Sequence, residues 1–104
     1  MTDVKATFYL PLKDNGGRSL AAEIGGVEDA CYAAFGAWTL TGYFQGVWRM
    51  KTGERKMDTS AVYTIILAEE RLPELEAVLR AFKARSRQES IFLEVERNVD
   101  VRFL

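Results

Sequence analysis

The sequence predicts an α+β fold in which one antiparallel sheet carries two helices on a single face. The stretch 38–67 alternates apolar and polar residues on both sides of a central turn, which is typical of a long β-hairpin. A helix-forming stretch flanks this hairpin on each side, and further alternating runs lie near both ends of the chain. A chain of 104 residues is long enough for one core, so we expect a single domain over residues 1–104.

The first element is a predicted strand over residues 5–12 (KATFYLPL), where apolar and polar side chains alternate. Pro11 marks its end, because proline has no N–H to donate to a neighbouring strand. Residues 13–18 (KDNGGR) have the composition of a turn. Their Gly-Gly pair lacks the spacing of a phosphate-binding loop, which favours a plain connection.

A helix is predicted next, with Ser19 as its N-cap and Gly36 as its C-cap. Two adjacent glycines, Gly25 and Gly26, interrupt it at a cost of roughly 1 kcal/mol each relative to alanine. We therefore expect the helix to break there into a short turn and a longer second piece. Its apolar stripe has a spacing of four, three, four and three residues, at Leu20, Ile24, Val27, Cys31, Ala34 and Phe35.

The central hairpin is predicted from a long strand, a turn over residues 51–54 and a second strand over residues 60–67 (SAVYTIIL). One face of the long strand carries large apolar side chains with two glycines in the same register: Trp38, Leu40, Gly42, Phe44, Gly46, Trp48 and Met50. We expect Leu40, Phe44 and Trp48 to pack under the helices with Phe8 and Leu10.

The second helix is predicted to begin around Pro73, which suits a first helical turn. Its buried stripe consists of Leu75, Val78, Leu79 and Phe82, and the cations near its end complement the helix dipole: Arg80, Lys83, Arg85 and Arg87. Residues 90–96 (SIFLEVE) alternate as a fourth strand. Apolar residues again occupy alternate positions at Val99, Val101 and Phe103, which predicts either a short fifth strand or a continuation of the fourth strand past a bulge.

The predicted order is strand, helix, strand, strand, helix, strand, with an extra C-terminal strand. Two strand–helix units joined by a hairpin form the ferredoxin-like βαββαβ sandwich, in which both helices cover one face of the sheet.

The net charge and the hydropathy of the sequence argue against nucleic acid and membranes as partners. Fourteen basic and fifteen acidic residues give a net charge of −1, so no overall field attracts nucleic acid or an anionic membrane. No apolar run approaches the roughly 18 residues that a membrane span needs, and the start of the chain lacks an apolar signal segment. We expect a cytoplasmic protein without nucleic-acid or membrane partners. The single cysteine, Cys31, excludes an intramolecular disulfide and is expected to be a buried, inert thiol.

The sequence favours a protein without catalytic machinery, although it leaves the question open. There is no histidine, no cysteine pair and no acidic metal triad, so we expect neither a metal nor another cofactor. A carboxylate or tyrosine mechanism stays possible if Glu89, Asp58 and Tyr63 converge with Arg49. The alternative function is therefore a small metal-independent enzyme acting on a small organic substrate.

The helix-free face of the predicted sheet suggests self-association. We expect it to show an apolar and aromatic mixture that proteins commonly cover, made of Thr7, Tyr9, Thr39, Thr41, Tyr43 and Val47. Back-to-back packing would give a homodimer, whereas a hairpin that reaches across to a neighbour would give a higher homo-oligomer.

The predicted function is a homo-oligomeric binding or interaction module, with a small molecule as a possible ligand. The candidate binding residues are aromatic or charged side chains on the sheet or beside its ends: Tyr9, Tyr43, Arg49, Tyr63 and Glu89. Each of them could equally pack in an interface between copies.

Two parts of the chain resemble a family of small bacterial ferredoxin-like domains of unknown function. Segments 46–49 (GVWR) and 58–67 (DTSAVYTIIL) are similar to its central hairpin. Segments 82–85 (FKAR) and 87–91 (RQESI) are similar to its helix end and to the Gln-Glu-Ser entry into its last strand. The resemblance implies a bacterial protein and the same fold, and it carries no activity. Members of that family often have a lipoprotein-type export signal that this sequence lacks.

At the level of the fold, the chain also resembles trimeric PII-like and CutA-like proteins and dimeric α/β-barrel proteins. PII-like proteins bind nucleotides through a long loop between their second and third strands, the place that residues 50–59 occupy here. That stretch contains Lys51, Arg55 and Lys56 but no glycine-rich phosphate cradle.

Overall fold

A computed structural model describes residues 2–104 and confirms the predicted α+β class. The elements follow the chain as β1 (Asp3–Pro11), α1 (Ala21–Phe35), β2 (Thr39–Arg49), β3 (Arg55–Ala68), a 3-10 turn (Glu69–Arg71), α2 (Leu72–Ser86) and β4 (Leu93–Glu96). The four strands form one antiparallel sheet in the order β2-β3-β1-β4. This is the ferredoxin-like βαββαβ arrangement.

The core lies between the helices and the two central strands. β1 and β3 pair from Asp3 opposite Ala68 to Pro11 opposite Ser60, so their alternate residues share one face. The buried cluster on that face contains strand residues Val4, Ala6, Phe8, Leu10, Ala61, Tyr63, Ile65 and Leu67, with helix residues Ile24, Val27, Cys31, Leu72, Leu75, Leu79 and Phe82. Both helices therefore cover the same face of the sheet, as predicted.

Helix α1 is continuous through Gly25 and Gly26, so the predicted break at these residues is wrong. The buried side chains Ile24 and Val27 lie immediately beside the two glycines. Burial of such side chains stabilises by roughly 1.5–3 kcal/mol each, which outweighs the glycine penalty. Tertiary packing thus decides the conformation of this segment.

The N-cap of α1 is Leu20 and not Ser19, so the helix begins one residue later than predicted. Ser19 still contributes to this end, because its Oγ accepts a hydrogen bond from the N–H of Ala21 at 3.2 Å and satisfies one of the first free donors of the helix. At the other end Gly36 has a φ of 81° and its N–H donates to the carbonyl of Tyr32 at 2.9 Å. This left-handed conformation is the one in which glycine is favoured as a C-cap.

The β2–β3 hairpin closes more tightly than the long-loop comparison suggested. Its strands pair until Arg49 opposite Arg55, and residues 50–54 form the whole turn. The turn is held by the N–H of Met50 donating to Glu54 at 2.8 Å and by Gly53, with a φ of 89°, donating to Met50 at 2.9 Å. Residues 55–59 thus belong to a strand and offer no mobile nucleotide-binding loop.

A β-bulge interrupts β2 at Thr41. Leu40 lies opposite Tyr63 and Gly42 lies opposite Val62, so two steps on β2 correspond to one step on β3. The extra residue is held in place because Thr41 Oγ1 donates to the carbonyl of Val62 at 3.0 Å. Beyond this point the side chains of β2 have exchanged faces relative to a regular strand.

The bulge overturns the predicted packing of the long strand. Phe44 and Trp48 lie opposite Ser60 and Lys56, on the face that no helix covers. Leu40 remains on the helix side but lies on an edge strand. Leu40, Phe44 and Trp48 are 38, 53 and 42% exposed, so the expectation that they pack under the helices is wrong.

The C-terminal part of the sheet is shorter than predicted. β4 pairs with β1 from Lys5 opposite Glu96 to Phe8 opposite Leu93. Residues 97–104 form no helix or strand, so the extra C-terminal strand at Val99, Val101 and Phe103 is not present. Asn98 adopts a φ of 63°, a left-handed conformation that interrupts the extended backbone directly after β4.

Helix α2 follows the predicted pattern. Pro73 lies in its first turn, and Leu75, Leu79 and Phe82 are buried. The helix ends at Ser86, and the C-cap Arg87 adopts a left-handed conformation with a φ of 56°. Among residues 2–104, neither α-helix combines the length and the apolar composition that crossing a bilayer requires.

Candidate functional site

The helix-free side of the sheet, called the open face below, carries a cluster of aromatic rings. Tyr9 stacks on Phe92 with ring centroids 4.3 Å apart and meets Phe44 edge-on at 5.7 Å. Val62, the cross-strand partner of Tyr9, is only 3% exposed although it lies outside the helix-covered core. The open face thus has a small apolar cluster of its own.

A cleft of about 310 Å³ lies beside this cluster. Its apolar walls are aromatic, and polar groups enter it from β3 and from the segment before β4. The residues that line it include Tyr9, Phe44, Trp48, Asp58, Ser60 and Phe92.

Gly46 explains why the cleft is open. On the open face β2 presents Phe44, Gly46 and Trp48 in succession, so a residue without a side chain separates two large rings. Gly46 lies directly opposite Asp58, and a Cβ placed on it would meet no atom within 4 Å. The gap between the rings therefore leads to the Asp58 position.

Asp58 is an under-satisfied carboxylate in this cleft. Its Oδ2 atom is shielded from solvent and has no hydrogen-bond partner in the described part of the chain. Lys56 and Ser60 are its neighbours on the same face, yet Asp58 takes part in no ion pair among residues 2–104. A buried polar atom without a partner costs free energy in the free protein.

A second, smaller depression of about 90 Å³ adjoins the cleft, since Trp48 and Ser90 line both. It brings together two of the predicted binding residues, Arg49 and Glu89. The carboxylate of Glu89 accepts a hydrogen bond from the N–H of Lys51, with distances of 3.3 and 3.4 Å to its two oxygens. Glu89 therefore joins the hairpin turn to the segment before β4.

The other predicted site residues lie apart. Tyr9 is in the cleft, whereas Tyr43 lies opposite Ala61 on the helix side of the sheet and is 60% exposed. Tyr63 is part of the core, where its hydroxyl donates to Glu28 Oε2 at 2.5 Å. Burial first, and then the Glu28 carboxylate, raises the pKa of Tyr63 well above its ordinary value.

The convergence of Glu89, Asp58 and Tyr63 with Arg49 is therefore not formed. Tyr63 and Asp58 lie on opposite faces of the sheet, because they are five positions apart on one regular strand. The arrangement on which the alternative enzymatic function depended is not assembled by these residues.

Sequence reasoning missed most of the cleft wall. Phe44 and Trp48 were assigned to the core, and Phe92 was not selected. A signal for the correct assignment exists in Gly42, since an isolated glycine inside a strand pattern often marks a bulge.

Within residues 2–104, no group of three or more cysteine, aspartate or glutamate side chains is placed to hold a metal ion. The chemistry that the cleft offers is apolar contact with aromatic rings, plus the carboxylate of Asp58 and the hydroxyl of Ser60.

No protein-family model and no curated protein matches this chain. The similarity of its hairpin and of its Gln-Glu-Ser segment to a bacterial domain family therefore stays an expectation from short motifs.

Proposed function

We propose that the protein is a homo-oligomeric binding module that holds a small, largely apolar molecule in the open-face cleft. The observation that carries this proposal is the cleft of about 310 Å³ with aromatic walls on a face that no helix covers. Small-molecule sites typically enclose about 300–1,000 Å³ and are lined mainly by apolar and aromatic side chains with a few polar groups. The cleft fits the lower end of that range.

The walls of the cleft are pre-formed. Tyr9 is held between Phe92 and Phe44 by ring contacts, and it belongs to a central strand that is paired on both sides. Rings fixed in this way lose little further freedom when a ligand arrives, which favours affinity.

The edge strand β2 supports the homo-oligomeric part of the proposal. Ten of its eleven residues are exposed, and it pairs only with β3, so its outer backbone groups lack a strand partner. Such a long edge without interior charges is suited to pairing with another strand. In antiparallel pairing about the middle of β2, Arg49 would lie opposite the uncharged end of the second copy's strand.

The binding proposal is tested by filling the gap between the two rings. Gly46→Val places a side chain in the empty space beside Asp58, and valine is more favourable than glycine in a strand, so the variant is expected to fold. We expect wild-type protein to bind 1-naphthol, a neutral two-ring probe, and Gly46→Val to bind it at least about tenfold more weakly. Isothermal titration calorimetry measures both.

Thr39→Val is the matched control, because it also introduces a valine into β2 but lies away from the cleft. It should bind the probe as the wild type does. Absence of binding by the wild type, or unchanged binding by Gly46→Val, would contradict the proposal.

A further inference from the structure

The carboxylate of Asp58 is the one charged group among the residues that line the open-face cleft. Its Oδ2 atom has neither solvent nor a hydrogen-bond partner. Across the strands, Gly46 contributes no side chain that could supply one. Asp58 as a whole is only half-buried and lines the cleft, so its negative charge borders a space whose other lining residues carry no charge.

The protein does not place a cation against this carboxylate. Lys56 lies two residues earlier on the same face, but no nitrogen of a lysine or arginine in residues 2–104 lies within 4.0 Å of an Asp58 oxygen. A cation that enters the cleft with a ligand would thus find an unoccupied partner.

The aromatic walls favour the same kind of ligand. Ring faces attract cations through their quadrupole, and the effect grows when water is excluded. Tyr9, Phe44 and Trp48 line the cleft together with Asp58. A cationic group near the carboxylate would be stabilised by the charge and by the rings, while an apolar body would contact the remaining wall.

We propose that the cleft takes a small ammonium compound with an apolar body, its charged nitrogen on the Asp58 carboxylate and its body against the rings of Tyr9, Phe44 and Phe92. This inference rests on the proposed function, namely that the cleft binds a small molecule. It adds the class of ligand, which the volume and the apolar walls alone do not specify.

The test compares three probes of nearly equal size: 1-naphthylmethylammonium, 1-naphthylmethanol and 1-naphthoate. Calorimetry on the wild-type protein should show the highest affinity for the cation, a lower affinity for the neutral compound and the lowest affinity for the anion. The cation should bind at least about tenfold more tightly than the neutral compound, as expected for a hydrogen bond between charged groups.

Asp58→Asn keeps the size of the side chain and removes its charge. It should reduce the preference for the cation to within about twofold while it leaves the affinity for 1-naphthylmethanol unchanged. Asp29→Asn, which removes an exposed carboxylate from α1, is the control and should keep the full preference.

Equal binding of the cation and the neutral compound by the wild type would overturn this inference and leave the proposed function standing. Failure of all three probes to bind would overturn both. The order of the three affinities in the wild type decides the inference even if Asp58→Asn does not fold.

Discussion

Cys31 and Tyr63 are two weak acids that the fold holds in their protonated forms. Cys31 is fully buried, and burial raises the pKa of its thiol to about 11. The pKa of Tyr63 is raised by burial and by the carboxylate of Glu28, which accepts a hydrogen bond from the Tyr63 hydroxyl. At neutral pH the lone thiol is therefore uncharged and a poor nucleophile.

Both groups predict a loss of stability in alkaline solution. Their pKa values in the folded state lie above the ordinary values of 9.0 and 10.0, so the native state holds these protons more tightly than the unfolded state. The stabilisation is complete below pH 9 and is lost as pH rises, first through Cys31 between pH 9 and 11 and then through Tyr63 above pH 10.

Urea denaturation at pH 8, 9, 10 and 11 measures this loss, whose slope is at most about 1.4 kcal/mol per pH unit for each group. Cys31→Ala lowers the stability at every pH by leaving a cavity, but its decline between pH 9 and 11 should be shallower. A wild-type stability that stays constant to pH 11 would contradict the assignment.

At the scale of elements, α1 is a helix whose packing overrides a poor local sequence. Gly26 is exposed on it, and a Cβ added there would meet nothing within 4 Å. Gly36, at the end of the same helix, also has free space but adopts a φ of 81°. The two glycines therefore differ in conformation and not in crowding.

Substitution by alanine should separate these two roles. Gly26→Ala is expected to raise the free energy of unfolding by about 0.5–1 kcal/mol, because alanine loses less conformational entropy in a helix. Gly36→Ala is expected to lower it by about 1–2 kcal/mol, the cost of a left-handed conformation for a residue with a Cβ. Urea denaturation measures both, and a destabilised Gly26→Ala would show that α1 is interrupted there.

The sequence predicted elements well where a regular period extended over the whole element. β1 and α2 have uninterrupted patterns, and Phe8, Leu10, Leu75, Leu79 and Phe82 are buried as predicted, while Val78 is only partly buried. β2 could not be assigned in the same way, because the bulge at Thr41 depends on pairing with β3 and on a hydrogen bond to Val62. The predicted fifth strand failed for a related reason, since alternation at Val99 and Val101 does not reveal the turn of the backbone at Asn98.

The candidate site shows the same limit. Tyr9 was predicted from β1, whose alternation is regular, and it lies in the cleft. Tyr43 was predicted on the same face as Tyr9 by assuming unbroken alternation along β2, and the bulge places Tyr43 on the other face. Asp58 entered only as one member of a proposed convergence, since no sequence pattern shows that its carboxylate lies opposite a glycine.

At the scale of the whole molecule, the chain is elongated, with extents of 44 × 25 × 23 Å. The helices do not cover the far part of the hairpin, where Tyr43, Val47 and Met57 are exposed on the helix side. Phe44 and Trp48 are exposed on the other side. An apolar projection of this kind is the part of the molecule that gains most from a partner.

Self-association along β2 predicts that one charge near the middle of this strand weakens the assembly. Tyr43→Lys would bring two ammonium groups close together across the two-fold axis and replace apolar contacts. We expect the dissociation constant to rise at least about tenfold, as measured by light scattering over a concentration series.

Tyr32→Lys is the control, because Tyr32 is exposed to a similar degree on α1, 67% against 60% for Tyr43. It should leave the mass in solution unchanged. A wild-type protein that stays at 11.8 kDa at all concentrations would contradict association through β2 and leave the cleft unaffected.

The single extra residue at Thr41 has a consequence for how this chain tolerates changes in length. Because the pairing of Phe44 and Trp48 is counted from the turn at residues 50–54, deletion of Thr41 would leave Gly42 directly after Leu40 in a regular ladder, with Phe44 and Trp48 still on the open face. The cleft would keep its aromatic walls, and the edge strand would lose the local bend that a bulge introduces. The bulge can therefore absorb the loss of one residue without exchanging the two surfaces of the strand.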